Sequence, residues 1–257
     1  MQIIQKYRRR AIQANSLLCI GLDSDPARLP TAYPTPFEFN RWIIDQTHTF
    51  AAAYKLNTAF YERVSGWEAL AETLDYLRTH HPDIMTICDA KRADIGNTSA
   101  AYARAFFDEL GCDAITLNPF LGAEALAPFL DRADKACIIL CRTSNPGAGE
   151  FQDLNVDGQP LWQHIARRVA AHWNRRENCM LVVGATAPQE LQTVRGIVRD
   201  MPILVPGIGA QGGDLAQLAP LDNLLLTVSR GIIFADDPAQ ASADFHAQIN
   251  ALRTPPG

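Results

Sequence analysis

The sequence predicts an α/β chain folded as a single (β/α)8 barrel over residues 1–257. Three observations predict it. Eight short runs rich in Val, Ile and Leu recur along the chain, each too short for a helix and apolar enough for a strand buried on both faces. The segments between them mostly carry helical periodicity, and strands alternating with helices pair in parallel through right-handed crossovers. Eight such units in 257 residues match a barrel of this kind in size. A doubly wound open sheet is the runner-up, weakened because no G-x-G-x-x-G follows the first run.

In order, the runs are "LLCIGLD" (17–23), "AAAYKLN" (51–57), "DIMTICDAK" (83–91), "AITLNP" (114–119), "ACIILCRTS" (136–144), "MLVVGAT" (180–186), "PILVPGI" (202–208) and "NLLLTVSRGI" (223–232). Between the third and fourth, Tyr102, Phe106 and Leu110 fall at i, i+4 and i+8, which predicts a helix over 94–110 closed by Gly111. Near the C-terminus, Asp237 and Pro238 read as an N-cap and first helical residue, followed by a stripe of Phe245, Ile249 and Leu252. The most irregular segment is 144–160, "SNPGAGEFQDLNVDGQP", whose length and Gly, Pro, Asn and Asp content suit a functional lid. No linker suggests a second domain.

The bulk properties narrow the function classes. A net charge of −5 argues against a general nucleic-acid binder, while leaving room for a local basic pocket that holds a small anion. The six cysteines (19, 88, 112, 137, 141 and 179) form no C-x-x-C pair and mostly sit in apolar runs, which suits buried reduced thiols in a cytoplasmic protein. The first residues carry charge but no apolar core of a secretory signal. No stretch reaches the roughly 18 apolar residues of a membrane span. Neither nucleic acid nor membrane is therefore an expected partner.

Barrels of this kind carry their sites at the C-terminal ends of the strands. Those ends hold Asp23 after the first run, Lys55 and Asn57 after the second, and Asp89, Lys91 and Asp94 after the third. Thr143 and Ser144 end the fifth, "PGIGAQGGD" (206–214) the seventh, and Ser229, Arg230 and Gly231 the eighth. Asp89 and Lys91 are two apart, so strand alternation points both to one face, where Lys55 joins them. A lysine among carboxylates keeps its proton, and they keep their charge. An ion-pair knot tying strands together is the bland alternative, and a buried pair adds little to stability. The glycines of 206–214 let backbone amides approach an anion, the next helix N-terminus adds partial positive charge, and Arg230 can close a bidentate clamp. All six histidines fall in helical segments away from this mouth, which speaks against a catalytic zinc or a Ser-His-Asp triad. No cofactor fingerprint is visible, so proton transfer falls to Lys or Asp.

The D-x-K-x-x-D-I-x-x-T pattern at Asp89, Lys91, Asp94, Ile95 and Thr98 resembles that of the orotidine 5'-phosphate decarboxylases. The resemblance extends to "GLD" with Asp23, "YKLN" with Lys55, "SNPGAG" with Ser144, "PGIGAQGGD" with Gln211, and Arg230; the versions of the two loops look like those of a branch common in bacteria. One departure is Ser229, where a glycine is common. The resemblance implies decarboxylation of orotidine 5'-phosphate to uridine 5'-phosphate, without metal or cofactor, by a homodimer with shared sites. It implies a charged tetrad of Lys55, Asp89, Lys91 and Asp94, with Lys91 protonating C6 of the pyrimidine. Asp94 and Thr98 would reach into the partner's site. Asp23 and Thr98 would hold ribose hydroxyls, Ser144 the pyrimidine edge, and Gly209, Gln211 and Arg230 the 5'-phosphate. Asn57, Ile95 and Pro206 complete the implied pocket. The D-x-K-x-x-D core is shared with metal-dependent sugar-phosphate decarboxylases, which typically carry an acidic residue on the second strand where this chain has Lys55. A non-catalytic nucleotide-binding barrel is the alternative from another class.

Overall fold

The computed structural model describes residues 2–63, 66–209 and 213–253. Eight parallel strands close into a barrel in the order β1-β8-β7-β6-β5-β4-β3-β2. They are β1 (Leu18–Gly21), β2 (Ala53–Asn57), β3 (Met85–Arg92), β4 (Ala114–Leu117), β5 (Ala136–Arg142), β6 (Cys179–Val183), β7 (Ile203–Pro206) and β8 (Leu224–Val228). Each falls within, or one residue off, its predicted apolar run. Closure comes from β1 pairing with β8 and β2, as in Cys19 opposite both Thr227 and Ala53. Every residue of β1, β4, β6 and β8 is buried, as strands covered on both faces require.

The helices are α1 (Ile3–Gln13), α2 (Pro36–Thr47), α3 (Gly66–His80), α4 (Gly96–Arg104), α5 (Gly122–Leu130), α6 (Gly149–Gln152), α7 (Leu161–Arg168), α8 (Pro188–Val198), α9 (Arg230–Ile233) and α10 (Pro238–Ala251). The α2 start is a capping box, in which Thr35 and Glu38 satisfy each other's backbone N–H groups. Asp237 caps α10 through the Gln240 N–H with Pro238 at its first position, as predicted. α1 covers the N-terminal end of the barrel, where the buried Tyr7 donates to the Leu224 carbonyl at 2.9 Å. At the same end Lys6 pairs with Asp113 at 2.7 Å, and Asp113 also accepts from the Thr86 N–H and hydroxyl at 2.9 and 3.1 Å.

Three connections differ from expectation. The helix predicted over 94–110 is α4 followed by a π turn at Ala105–Glu109. That extra residue per turn lets the adjacent Phe106 and Phe107 both bury. The segment 144–160 is not irregular: it folds into a 3₁₀ turn (Pro146–Ala148), α6, and a small hairpin of Asn155–Val156 with Gln159–Pro160. Among the described residues between β7 and β8 stands only a 3₁₀ turn, Leu215–Leu218, capped by Asp214, and Pro220 keeps it from growing into a helix. Among the described residues no α-helix N-terminus follows the glycine loop before β8, against the expected charge contribution there.

All six cysteines are free and buried. Burial pushes the thiols of Cys19, Cys141 and Cys179 up to about 12, so they are poor nucleophiles.

Candidate active site

The C-terminal end of β3 is not a regular strand. The register against β4 shifts between Cys88 and Arg92, and Lys91 adopts φ +50°, the left-handed region. For a residue with a side chain this is strained by on the order of 1 kcal/mol, and such strain gathers at functional sites. The alternation argument for Asp89 and Lys91 is thus corrected: both reach the mouth, but across a β-bulge that re-aims Lys91. The bulge is anchored by Thr116 of β4, whose hydroxyl accepts from the Lys91 N–H and donates to Asp89 Oδ1, both at 2.9 Å.

Three charges meet there. Lys91 Nζ donates to Asp89 Oδ1 at 2.7 Å, and Lys55 Nζ donates to Asp89 Oδ2 at 3.0 Å. Lys55 lies 3.7 Å from Asp23 Oδ1 on β1's exit. Burial works against ionising Asp89, yet Lys55 and Lys91 outweigh it and hold the carboxyl well below the usual range. Burial likewise works against the charge on Lys55, and Asp89 and Asp23 outweigh it, so its pKa is raised. Lys55 is 5 % exposed and Lys91 50 %, so one lysine is locked below the mouth and the other reaches into it.

Asp23 is held from behind. The Tyr61 hydroxyl donates to the Leu22 carbonyl at 2.8 Å, Asn40 donates to Tyr61 and Thr73, and Ser24 donates to Asn40. This fully buried network pins the residues on either side of Asp23 to α2 and α3. Asp23 Oδ1 itself is buried without a hydrogen-bond donor among the described residues. Its ionic neighbour is Lys55, and the Asp23 side chain, 21 % exposed, borders the cavity with the rest of its carboxylate.

The cavity at the mouth measures about 460 Å³. Asp23, Lys55, Asn57, Asp89, Lys91 and Thr116 line its charged side, and Leu140, Val182 and Leu204 its apolar floor. Thr143, Ser144, Asn145 and Gln152 form a third wall, and Pro206, Gly207, Ile208, Thr227, Ser229 and Arg230 the fourth. Gln152 fixes the third wall, accepting from the Thr143 N–H and donating to its hydroxyl, both at 2.9 Å. On the fourth, Gly207 takes φ +101°, which only glycine adopts freely, and Arg230 is exposed with no ion-pair partner among the described residues.

Of the residues singled out in the sequence, Asp23, Lys55, Asn57, Asp89, Lys91, Ser144, Pro206 and Arg230 surround this one cavity. Asp94, Ile95, Thr98 and Gly209 do not line it. Asp94 Oδ1 accepts from the Ile95 N–H at 2.8 Å, and Ile95 and Thr98 are exposed on the start of α4. Gln211 lies outside the described residues. Sequence reading missed Thr116, Asn145, Gln152 and Thr227. Thr116 and Thr227 carry a faint signal, a lone hydroxyl inside an otherwise apolar strand.

The sequence model described as "Orotidine 5'-phosphate decarboxylase / HUMPS family" matches residues 16–245, nearly the whole barrel. The chain belongs to the orotidine 5'-phosphate decarboxylase / HUMPS family. Among family relatives, an orotidine 5'-phosphate decarboxylase of Herpetosiphon aurantiacus is 48% identical over 241 residues, covering 90% of this chain and 89% of that one. One from Cellvibrio japonicus is 42% identical over 272 residues, covering 98% and 100%. The solved structure of Leishmania donovani OMP decarboxylase superposes with a TM-score of 0.88 at 39% identity, covering 98% of each chain.

Proposed function

We propose that this protein is a carboxy-lyase that converts orotidine 5'-phosphate to uridine 5'-phosphate in pyrimidine synthesis, without metal or organic cofactor. The observation that carries the reading is the chain of Lys55, Asp89 and Lys91 at the barrel mouth, with Lys91 extended into the cavity. Loss of carbon dioxide leaves an electron pair on C6 of the pyrimidine with no neighbouring sink. A fixed ammonium stabilises that charge as it forms and then donates its proton to C6; solvent restores the lysine. Asp89, kept ionised by its two lysines, holds the Lys91 ammonium at the site of reaction. Its own charge stands beside the departing carboxylate.

The rest of the cavity suits the rest of the nucleotide. The Asp23 carboxylate borders the cavity and can accept from a ribose hydroxyl, Ser144 can meet the pyrimidine edge, and Arg230 can grip the phosphate bidentately. Asn57 and Pro206 border the same space, with Gly209 and Gln211 assigned to the phosphate side by family resemblance. Phosphate binding supplies remote energy to draw the 144–160 segment and the glycine loop over the base. Asp94 and Thr98 are read as completing the site of a second subunit in a homodimer, which fits their position outside this subunit's own cavity. Lys55 between Asp23 and Asp89 argues against the sugar-phosphate alternative, because an ammonium already occupies the position between carboxylates that would draw a divalent metal. The buried thiols suit the reducing cytoplasm, and no helix is long and apolar enough to cross a membrane among the described residues.

The test is the fall in substrate absorbance when orotidine 5'-phosphate is supplied in the presence of EDTA. Turnover is expected; none, or turnover only after a divalent metal is added, refutes the reading.

A further inference from the structure

Arg92 follows Lys91 in the chain and faces away from the cavity, yet its side chain returns to the bulge. Its Nη1 donates to the carbonyl of Ala90 at 2.9 Å, spanning the Lys91 backbone from one side to the other. Its Nη2 pairs with Glu62, whose Oε1 also accepts from the Thr58 hydroxyl at 2.8 Å. The guanidinium carbon lies 5.3 Å from the Tyr102 ring and 5.6 Å from the Phe106 ring. Nε is buried without a hydrogen bond among the described residues. Arg92 is also where the β3–β4 ladder resumes, opposite Leu117.

Each contact bears on Lys91. A left-handed residue at a bulge relaxes unless its surroundings over-determine it. Thr116 fixes the Lys91 N–H, and Arg92 fixes the carbonyl on the other side of the Lys91 α-carbon's preceding peptide, that of Ala90. Glu62 and Thr58 belong to the turn that leaves β2 just after Asn57, so the pair ties the exit of β2 to the exit of β3. Those two exits carry Lys55 and Lys91. Only the planar fork of an arginine serves a carbonyl and a carboxylate at once while lying against aromatic rings.

We propose that Arg92, oriented by Glu62, is a positioning residue for the decarboxylation, holding Lys91 in its left-handed conformation so that the ammonium is aimed at C6. The kinetic side of this rests on the function proposed above; the structural side does not.

The experiment has two arms on the full-length protein. In crystals of Arg92→Met, Lys91 is expected to leave the left-handed region and to lose its bond to Asp89; an unchanged Lys91 backbone overturns the proposal. In solution, kcat of Arg92→Met is expected to fall about 100-fold, as for a reacting group displaced by an ångström, while the Kd for uridine 5'-phosphate stays that of the parent. Exchange of the C6 hydrogen of uridine 5'-phosphate with deuterated water, which retraces the proton transfer, should fall in parallel. Arg132→Met, which breaks the Arg132–Asp108 pair on the outer surface, serves as the control for a merely structural loss and should leave kcat unchanged. A kcat loss in Arg92→Met no larger than in that control, or a loss confined to nucleotide affinity, overturns the proposal. Should Arg92→Met fail to fold, Glu62→Gln replaces it in both arms with the same direction of change and a smaller one. If the parent protein neither turns over orotidine 5'-phosphate nor exchanges C6, the proposed function fails, and the crystallographic arm still decides the role of Arg92.

Discussion

The same three residue types, Lys, Asp and Thr, form a cluster at each end of strands β3 and β4, and the two clusters differ in everything but composition. At the N-terminal end, Lys6, Asp113 and Thr86 satisfy one another: one cation, one carboxylate, and a threonine that donates twice and accepts the Asp113 N–H at 3.0 Å. At the C-terminal end, Asp89 answers to two lysines, Lys55 answers to two carboxylates, and the threonine braces a bulge. One cluster is closed and borders α1; the other opens on a cavity with a half-exposed ammonium and a strained backbone beneath it. Charged residues in proximity are therefore not what marks a site. The marks are charges shared among several partners, a space for a ligand, and a conformation that the local sequence alone would not choose.

Substitutions at the two ends should separate them. Lys91→Ala should lower kcat by on the order of 10⁴-fold, since it removes both the proton donor and the electrostatic stabiliser; a circular dichroism spectrum and melting curve like the parent's would show that the fold survives, and near-normal kcat would end the donor role. Arg230→Ala acts on the opposite wall. It should weaken uridine 5'-phosphate binding by about 30- to 150-fold, the value of a charge-assisted bond to phosphate, measured by calorimetry, with uridine itself bound no worse. Lys6→Met at the closed cluster should lower stability by about 1 kcal/mol, because Asp113 keeps its bonds from Thr86, and leave kcat untouched.

The smallest effect concerns acid. Asp89 titrates well below its ordinary value in the folded protein, whereas in the unfolded chain it takes up its proton near pH 4, as an ordinary aspartate does at about 3.9. Its contribution to stability is thus complete above that pH and is lost progressively as the pH falls toward the folded value. Denaturant titrations between neutral pH and pH 3 should show a shallower acid loss in Asp89→Asn than in the parent; equal slopes would mean that the pairing with Lys55 and Lys91 is not what holds the carboxyl ionised.

Much of this was legible in the residues. The eight strands could be read because each is a local apolar run, and Asp23, Lys55, Asp89, Lys91 and Arg230 because barrel geometry gives the end of a run a special place. What could not be read arises between segments. The bulge at Lys91 depends on the register of β3 against β4 and on Thr116, distant in sequence. The clamp of Gln152 on Thr143 forms only once the 144–160 segment has folded. The turn between β7 and β8 escaped because periodicity speaks for helices and not for how short one will be. The placement of Asp94, Ile95 and Thr98 away from the cavity follows from where α4 starts, which a pattern of spacings does not state.

The seam where the last strand meets the first carries a rule about exchange. A β-carbon at Gly21 would lie 2.7 Å from that of Ser229, and the Ser229 hydroxyl donates to the Gly21 carbonyl at 2.9 Å. The two positions share room for a single side chain, and here it belongs to residue 229. A chain with glycine at 229 would be free to carry alanine at 21, and the reverse swap in this protein is expected to be tolerated only as a pair. The serine that departs from the pattern before Arg230 is thus one half of a two-position unit, to be transplanted or redesigned together with its glycine.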